Sequence, residues 1–155
     1  MRNVVNILLF TFFTGIASAQ STELKWYTSV EEAVKISQKE KKPIMLFFTG
    51  SDWCGWCVRL QKEVFLQSEF KTWAAANVVL VEVDFPRNKV QTAELKTQNQ
   101  TLQRQFGIQG YPTVWFVRPE KMSDGKVNFV QLGSSGYRDG GAKNWIEQVT
   151  PYLKK

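Results

Sequence analysis

The sequence predicts an α/β fold with a mixed central β-sheet flanked by helices, on three observations. Ile44-Met45-Leu46-Phe47-Phe48 is a short continuous apolar run of the kind found in strands buried on both faces, and Val78 to Val83 reads as the next buried strand. Segments of helical periodicity alternate with these strands through the first two thirds of the chain. A strand pair around Asp124-Gly125 followed by a helix closes it. The length of 155 residues, with 43% hydrophobic and 22% charged side chains, suits one ordinary globular domain.

Each element has a local reason. A strand near Leu24 to Tyr27 is followed by a helix from about Ser29 to Lys41, where Ser29 and Glu32 have the S-x-x-E spacing of a capping box and Pro43 ends the run. After the apolar strand the chain turns at Thr49-Gly50-Ser51-Asp52, and a helix begins near Cys54 with Val58, Leu60, Val64 and Phe65 as its apolar positions. A second short helix is expected from Ser68 to Ala76. Asn88 to Phe106 is read as one long helix, with Leu95, Leu102 and Phe106 at helical spacing and Gly107 as its C-terminal stop. Strands at Thr113 to Val117 and Val127 to Leu132 form the hairpin, and Ala142 to Leu153 is the last helix.

The first 19 residues read as a secretory signal peptide: one positive charge at Arg2, an apolar stretch from Val4 to Phe13, and Ala17-Ser18-Ala19 as a small-x-small cleavage site. The apolar run is about half of the ~20 residues a spanning helix needs. Residues 20–155 are therefore expected to form a mature domain that is exported to the periplasm or secreted, without stable membrane insertion. The net charge of +6 is spread along the chain, and its densest run, Lys39-Glu40-Lys41-Lys42, is interrupted by an acid. That pattern is a solvated helix end rather than a nucleic-acid surface.

The chain has no histidine, which removes imidazole bases, Cys/His and Ser/His nucleophile pairs, and histidine metal sites. Both cysteines lie in Trp53-Cys54-Gly55-Trp56-Cys57. Three roles fit a C-x-x-C: a redox dithiol, two metal ligands, or a disulfide that staples one turn. Structural zinc needs four ligands and the chain offers two thiols, and a disulfide closing so small a loop adds little stability on the chain-entropy account. A C-x-x-C opening a helix after a buried strand places the first sulfur by unpaired backbone N–H groups, where cysteine pKa values fall to about 3.5–7.5. That favours exchange chemistry, with Cys54 as nucleophile and Cys57, one turn further in, as the resolving thiol.

Taken with Val81-Glu82-Val83-Asp84, Phe106-Gly107-Ile108-Gln109-Gly110-Tyr111-Pro112-Thr113 and Gly133, the motif resembles the thioredoxin superfamily from Leu24 to Leu153. The form SDWCGWC, with Val83-Asp84-Phe85-Pro86-Arg87 further on, is similar to that of exported bacterial thioredoxin-like proteins. The resemblance implies a thioredoxin fold and no cofactor. It also implies a cis-proline at Pro112 against the active-site disulfide, with Tyr111 presenting backbone groups to an extended substrate.

Two departures from the family pattern stand out. The buried aspartate six residues before the first cysteine, held to manage the proton of the second, is Phe48 here, and its lysine partner falls near Leu80. Asp52 and Glu63 are the nearest acids in sequence and are candidates for proton transfer, although a turn or cap residue and an exposed helix residue are the plainer readings. The dipeptide Gly55-Trp56 also differs from those of the familiar relatives. Their potentials span roughly −270 to −120 mV, so the dipeptide leaves the direction of electron flow open, with reduction favoured.

The chain is thus read as a thiol–disulfide oxidoreductase acting on exported polypeptides. Trp53, Gly55, Trp56, Gly110, Tyr111 and Pro112 form the substrate surface, and a membrane redox partner is expected. The alternative is a redox-inert module that uses the same groove to bind or chaperone proteins.

Overall fold

The structure is a computed structural model and describes residues 23–154. The signal-peptide reading of residues 1–19 lies outside the described residues. Strands β1 (Trp26–Tyr27), β2 (Ile44–Thr49), β3 (Val79–Asp84), β4 (Thr113–Lys121) and β5 (Val127–Ser135) form one sheet in the order β1-β3-β2-β4-β5. β1, β3 and β2 run parallel, β4 joins β2 antiparallel, and β5 joins β4 antiparallel at the edge. The helices are α1 (Val30–Glu40), α2 (Gly55–Leu60), α3 (Ser68–Asn77), α4 (Ala93–Gln105) and α5 (Gly141–Val149). Among the described residues no helix is long and apolar enough to cross a membrane.

Every residue of β2 is buried, as its unbroken apolar run predicts for the central strand of a sheet covered on both sides. Its alternation divides the core. Met45 and Phe47 face one cluster, with Cys54, Cys57 and Leu60 of α2, Phe70 of α3 and Trp145 of α5. Ile44, Leu46 and Phe48 face the other, with Val30 and Val34 of α1, Leu102 of α4 and Phe106. Because successive strand side chains point to opposite faces, the cysteines belong to one face alone.

The helix ends follow the local chemistry. The Ser29 hydroxyl accepts from the Glu32 N–H, and Lys41 closes α1 in the left-handed conformation (φ 56°). The Glu32 carboxylate accepts from Lys25 Nζ, so only the serine half of the expected box is used as a cap.

Four expectations are corrected. The long helix begins at Ala93 rather than Asn88: Thr92 is its cap, and the preceding backbone is tied down by Asp52, which accepts from the N–H groups of Arg87 and Asn88. α2 passes at Gln61 into a π-helical turn, Gln61–Phe65, in which the Leu66 N–H donates to Gln61 O, five residues back. The last helix stops at Val149 and continues as a 3₁₀ segment, Thr150–Lys154, around Pro151. The hairpin strands extend beyond their expected ends, with a register shift between Phe116 and Val117. Beside that shift Gly133 lets the Tyr152 ring approach closely: a Cβ there would lie 2.5 Å from the ring and force it to move.

Candidate active site

The loop from β2 to α2 delivers the cysteines. Gly50 O accepts the N–H groups of Trp53 and Cys54, a tight turn that sets Cys54 as the N-cap of α2. Cys54 Sγ accepts from the Cys57 N–H at 3.2 Å, so the first sulfur occupies the position where a capping oxygen normally sits. The two sulfurs form a disulfide with S–S 2.07 Å and Cα–Cα 5.2 Å. Cys54 retains 6% of its accessible surface and Cys57 none. Cys54 is therefore the sulfur at the surface edge, and Cys57 is presented only to its partner sulfur and the core.

Two aromatic shoulders flank the pair. On one side the Trp53 indole donates to Phe85 O at 2.7 Å, meets Tyr111 edge-on at 5.6 Å and lies under the Arg87 guanidinium at 4.3 Å. A Cβ at Gly50 would sit 2.3 Å from the Trp53 ring, so that position requires glycine. On the other side Trp56, 56% exposed, packs against Tyr137 at 5.2 Å. Arg59 lies over both rings and pairs with Glu63 at 2.7 Å, while the Tyr137 hydroxyl, with its one proton, lies 2.6 Å from Glu63 Oε2 and 2.9 Å from Asp139 Oδ1.

Gly110, Tyr111 and Pro112 form the loop before β4, and the Tyr111-Pro112 peptide is cis. Gly110 is exposed, its carbonyl accepting from the Thr113 hydroxyl, and Gln103 Nε2 donates to the Tyr111 hydroxyl at 2.7 Å. Gly55 opens α2 in free space, with no atom within 4 Å of a Cβ placed there. The tryptophans divide as their contacts dictate. Trp145 is buried and Trp73 and Trp115 are half-buried, whereas Trp53 and Trp56 are exposed beside the disulfide.

The two candidate acids are both engaged. Backbone N–H groups of Arg87 and Asn88 hold the Asp52 carboxyl below its ordinary value, and the Tyr137 hydroxyl and Arg59 do the same for Glu63. The missing aspartate also needs relocating. Phe48, six residues before Cys54, faces away from the cysteines and packs on Phe106 at 5.9 Å; its neighbour Phe47 is on the cysteine face. Leu80 is on the cysteine face, as is Glu82, the register partner of Phe47.

Sequence reasoning did not single out Arg87, Tyr137 or Glu82 for the site. Arg87 and Tyr137 are brought in by loops 30 and 80 residues from the motif and carry no local signal. Glu82 did carry one, as the only charge in Val78 to Val83. Among the described residues no cluster of three or more acidic or cysteine side chains is placed to hold a metal ion.

The thioredoxin-like domain family matches residues 30–131. The disulfide bond reductase DsbH of Chlamydia pneumoniae is 39% identical over 134 residues, 86% of this chain and 75% of that protein. The thioredoxin-related protein DsbJ of the same organism is 28% identical over 120 residues, which is 77% of this chain but 33% of DsbJ. Among solved structures, a DsbH oxidoreductase superposes with a TM-score of 0.77 at 35% identity over 94% of this chain and 95% of that one. A thioredoxin from Thermus thermophilus, with a TM-score of 0.59 at 17% identity over 82% and 85% of the two chains, shares the fold.

Proposed function

Because the chain belongs to the thioredoxin-like family and is a thiol–disulfide oxidoreductase, we propose that it reduces disulfides in exported polypeptides, in the periplasm or after secretion. The observation that carries the exchange chemistry is the asymmetry of the pair: Cys54 at the surface edge with its sulfur accepting a backbone N–H, Cys57 fully enclosed one turn behind. In the reduced protein the Cys54 thiolate attacks a substrate sulfur, forming a mixed disulfide and expelling the first substrate thiolate. Cys57, deprotonated, then attacks Cys54 Sγ, which re-forms the Cys54–Cys57 bond and releases the second substrate thiol. The substrate gains two electrons and the protein loses them.

The direction is supported by two arguments. Strong oxidants of this kind stabilise their reduced form. This chain has no histidine to place an imidazolium beside the Cys54 thiolate, and burial of Cys57 disfavours charge on its sulfur. The 39% identical relative is itself named a disulfide bond reductase. The exposed Trp56 and the Trp53–Tyr111 shoulder, with Gly110 and Pro112, supply a platform for an extended polypeptide, since aromatic groups give contact area at low entropic cost. A membrane-bound reductant is the partner that would return the electrons.

The test is reduction of insulin disulfides by dithiothreitol, with and without the protein, joined to equilibration of the Cys54–Cys57 pair in glutathione buffers. The wild-type chain should accelerate reduction, Cys54→Ser should abolish the acceleration, and the pair should equilibrate nearer the thioredoxin value of about −270 mV than the −120 mV of a strong oxidant. A pair at the oxidising end would reverse the direction. Absence of catalysis together with undiminished binding of unfolded protein by Cys54→Ser would replace the enzyme with a redox-inert binding module.

A further inference from the structure

Resolution needs a thiolate at Cys57, yet Cys57 is completely enclosed, and burial favours the neutral thiol. A group on its own face, or water that reaches it, must accept the proton. Asp52 and Glu63 are poorly suited, because each is held ionised by specific donors and a carboxylate stabilised in that way is a weak base.

The cysteine face of the sheet carries two polar side chains of a different kind. The Thr49 hydroxyl, on the same face of β2 as Met45 and Phe47, is fully buried and has no hydrogen-bond partner. Glu82, in register with Phe47 on β3, is half-buried and has no hydrogen bond or ion pair among the described residues. It lines a cleft of about 250 Å³ with Trp26, Phe47, Gln61, Phe65 and Leu66. A water occupies ~30 Å³ of liquid, so the cleft has room for several. Gln61 ties the cleft to the chemistry. It lies one helical turn beyond Cys57 on the same helix face, its N–H donates to Cys57 O, and it opens the π turn. A π turn in this position is a feature often found at functional sites.

We propose that Glu82 accepts the proton that Cys57 loses before it resolves the mixed disulfide, with the Thr49 hydroxyl as the next polar group along that face. This rests on the exchange reading above. In the step, the Cys57 S–H bond breaks and its proton passes by way of water in the cleft to the Glu82 carboxylate. The thiolate attacks Cys54 Sγ, the Cys54–substrate bond breaks, the departing substrate thiolate takes a proton from solvent, and Glu82 returns its own proton to solvent through the cleft.

The charged groups acting on Glu82 are Asp84 of the same strand and Lys89 of the following loop; β1, β2 and the π turn present it with Trp26, Phe47 and Gln61. Desolvation first, and then Asp84, hold its carboxyl above the ordinary value, opposed by Lys89, which makes it a better base than either Asp52 or Glu63.

The test uses the reduced chain and dithiobis-nitrobenzoate in stopped flow. Attack by Cys54 releases one nitrothiobenzoate anion, and resolution by Cys57 releases a second, so the two steps are read separately. Glu82→Gln should leave the first phase unchanged, which also shows that the variant is folded. It should slow the second by about tenfold or more below neutral pH, at the low end of general-base effects, with the rate recovering as hydroxide rises. Glu82→Asp should restore part of the loss at low pH. An identical pH profile for the second phase in wild type and Glu82→Gln would overturn the assignment. A wild-type chain that releases only one anion would bring down the exchange reading itself, and the Glu82 role with it.

Discussion

The two faces of the central sheet are built from the same strands and differ in what they tolerate. On the face covered by α1 and α4, the buried side chains contributed by β2 and β3 are all aliphatic or aromatic: Ile44, Leu46, Phe48, Val79, Val81 and Val83. On the other, β2 and β3 contribute Met45, Phe47 and Leu80 but also the unpartnered Thr49 hydroxyl and the half-buried Glu82, beside the disulfide. An unpaired polar group in a core costs about 1–3 kcal/mol. The chain accepts that cost on one face and not on the other. The first face is a sealed apolar core and the second holds the disulfide, the division expected when a small domain places a reactive pair inside its own core.

The comparison can be broken most severely at Phe48. Phe48→Ala opens a cavity in the sealed face and should lower the unfolding free energy by about 3–5 kcal/mol in urea titrations, while the protein that remains folded keeps the wild-type pH profile of resolution. An altered profile would mean that the two faces are coupled.

A smaller loss is expected at Gly133, where a methyl group must displace the Tyr152 ring on the cysteine side. Gly133→Ala should cost about 1–3 kcal/mol by overpacking and leave insulin reduction per folded molecule unchanged. A neutral result would show that Tyr152 moves freely.

The smallest effect lies at the rim. Glu63 titrates below its ordinary value of 4.5 because the Tyr137 hydroxyl, and then Arg59, stabilise its anion. A carboxyl depressed in the folded state contributes stability above its unfolded pKa, and this is lost as pH falls through the folded value. Tyr137→Phe should therefore move the Glu63 carboxyl back toward 4.5, seen by carbon NMR titration, and make the acid-side decline of stability shallower. It should also loosen Trp56, read as faster quenching of its fluorescence. An unmoved Glu63 titration would assign the depression to Arg59 alone.

Most of the fold was legible because its signals are local. The apolar run of β2, the Ser29 cap, Gly107 with its positive φ of 59° and the turn at Asp124-Gly125 each act within a few residues, and each falls where the sequence places it. The helix starting at Ala93 is shorter than its composition predicts because the segment before it is restrained by Asp52, about 35 residues away. The π turn after Leu60 carries no sequence signature, since the same residues fit an ordinary helix. At the site, Trp53-Cys54-Gly55-Trp56-Cys57 and Tyr111-Pro112 were recognisable as motifs. The Tyr137–Glu63–Arg59 tie was not, because it joins α2 to a loop more than 70 residues on.

Local sequence is enough for the buried strands, the position of the dithiol at a helix start, the exclusion of histidine chemistry, and the family through its two motifs. Only the tertiary structure decided which face each strand residue serves. Counting back from Cys54 selects Phe48, but side chains alternate along a strand and a single residue more or less in the connecting loop exchanges the faces. That choice put Phe47 and its neighbour Glu82, not Phe48, on the side of Cys57. The sequence could not make it, because register is set by packing between strands that lie more than 30 residues apart.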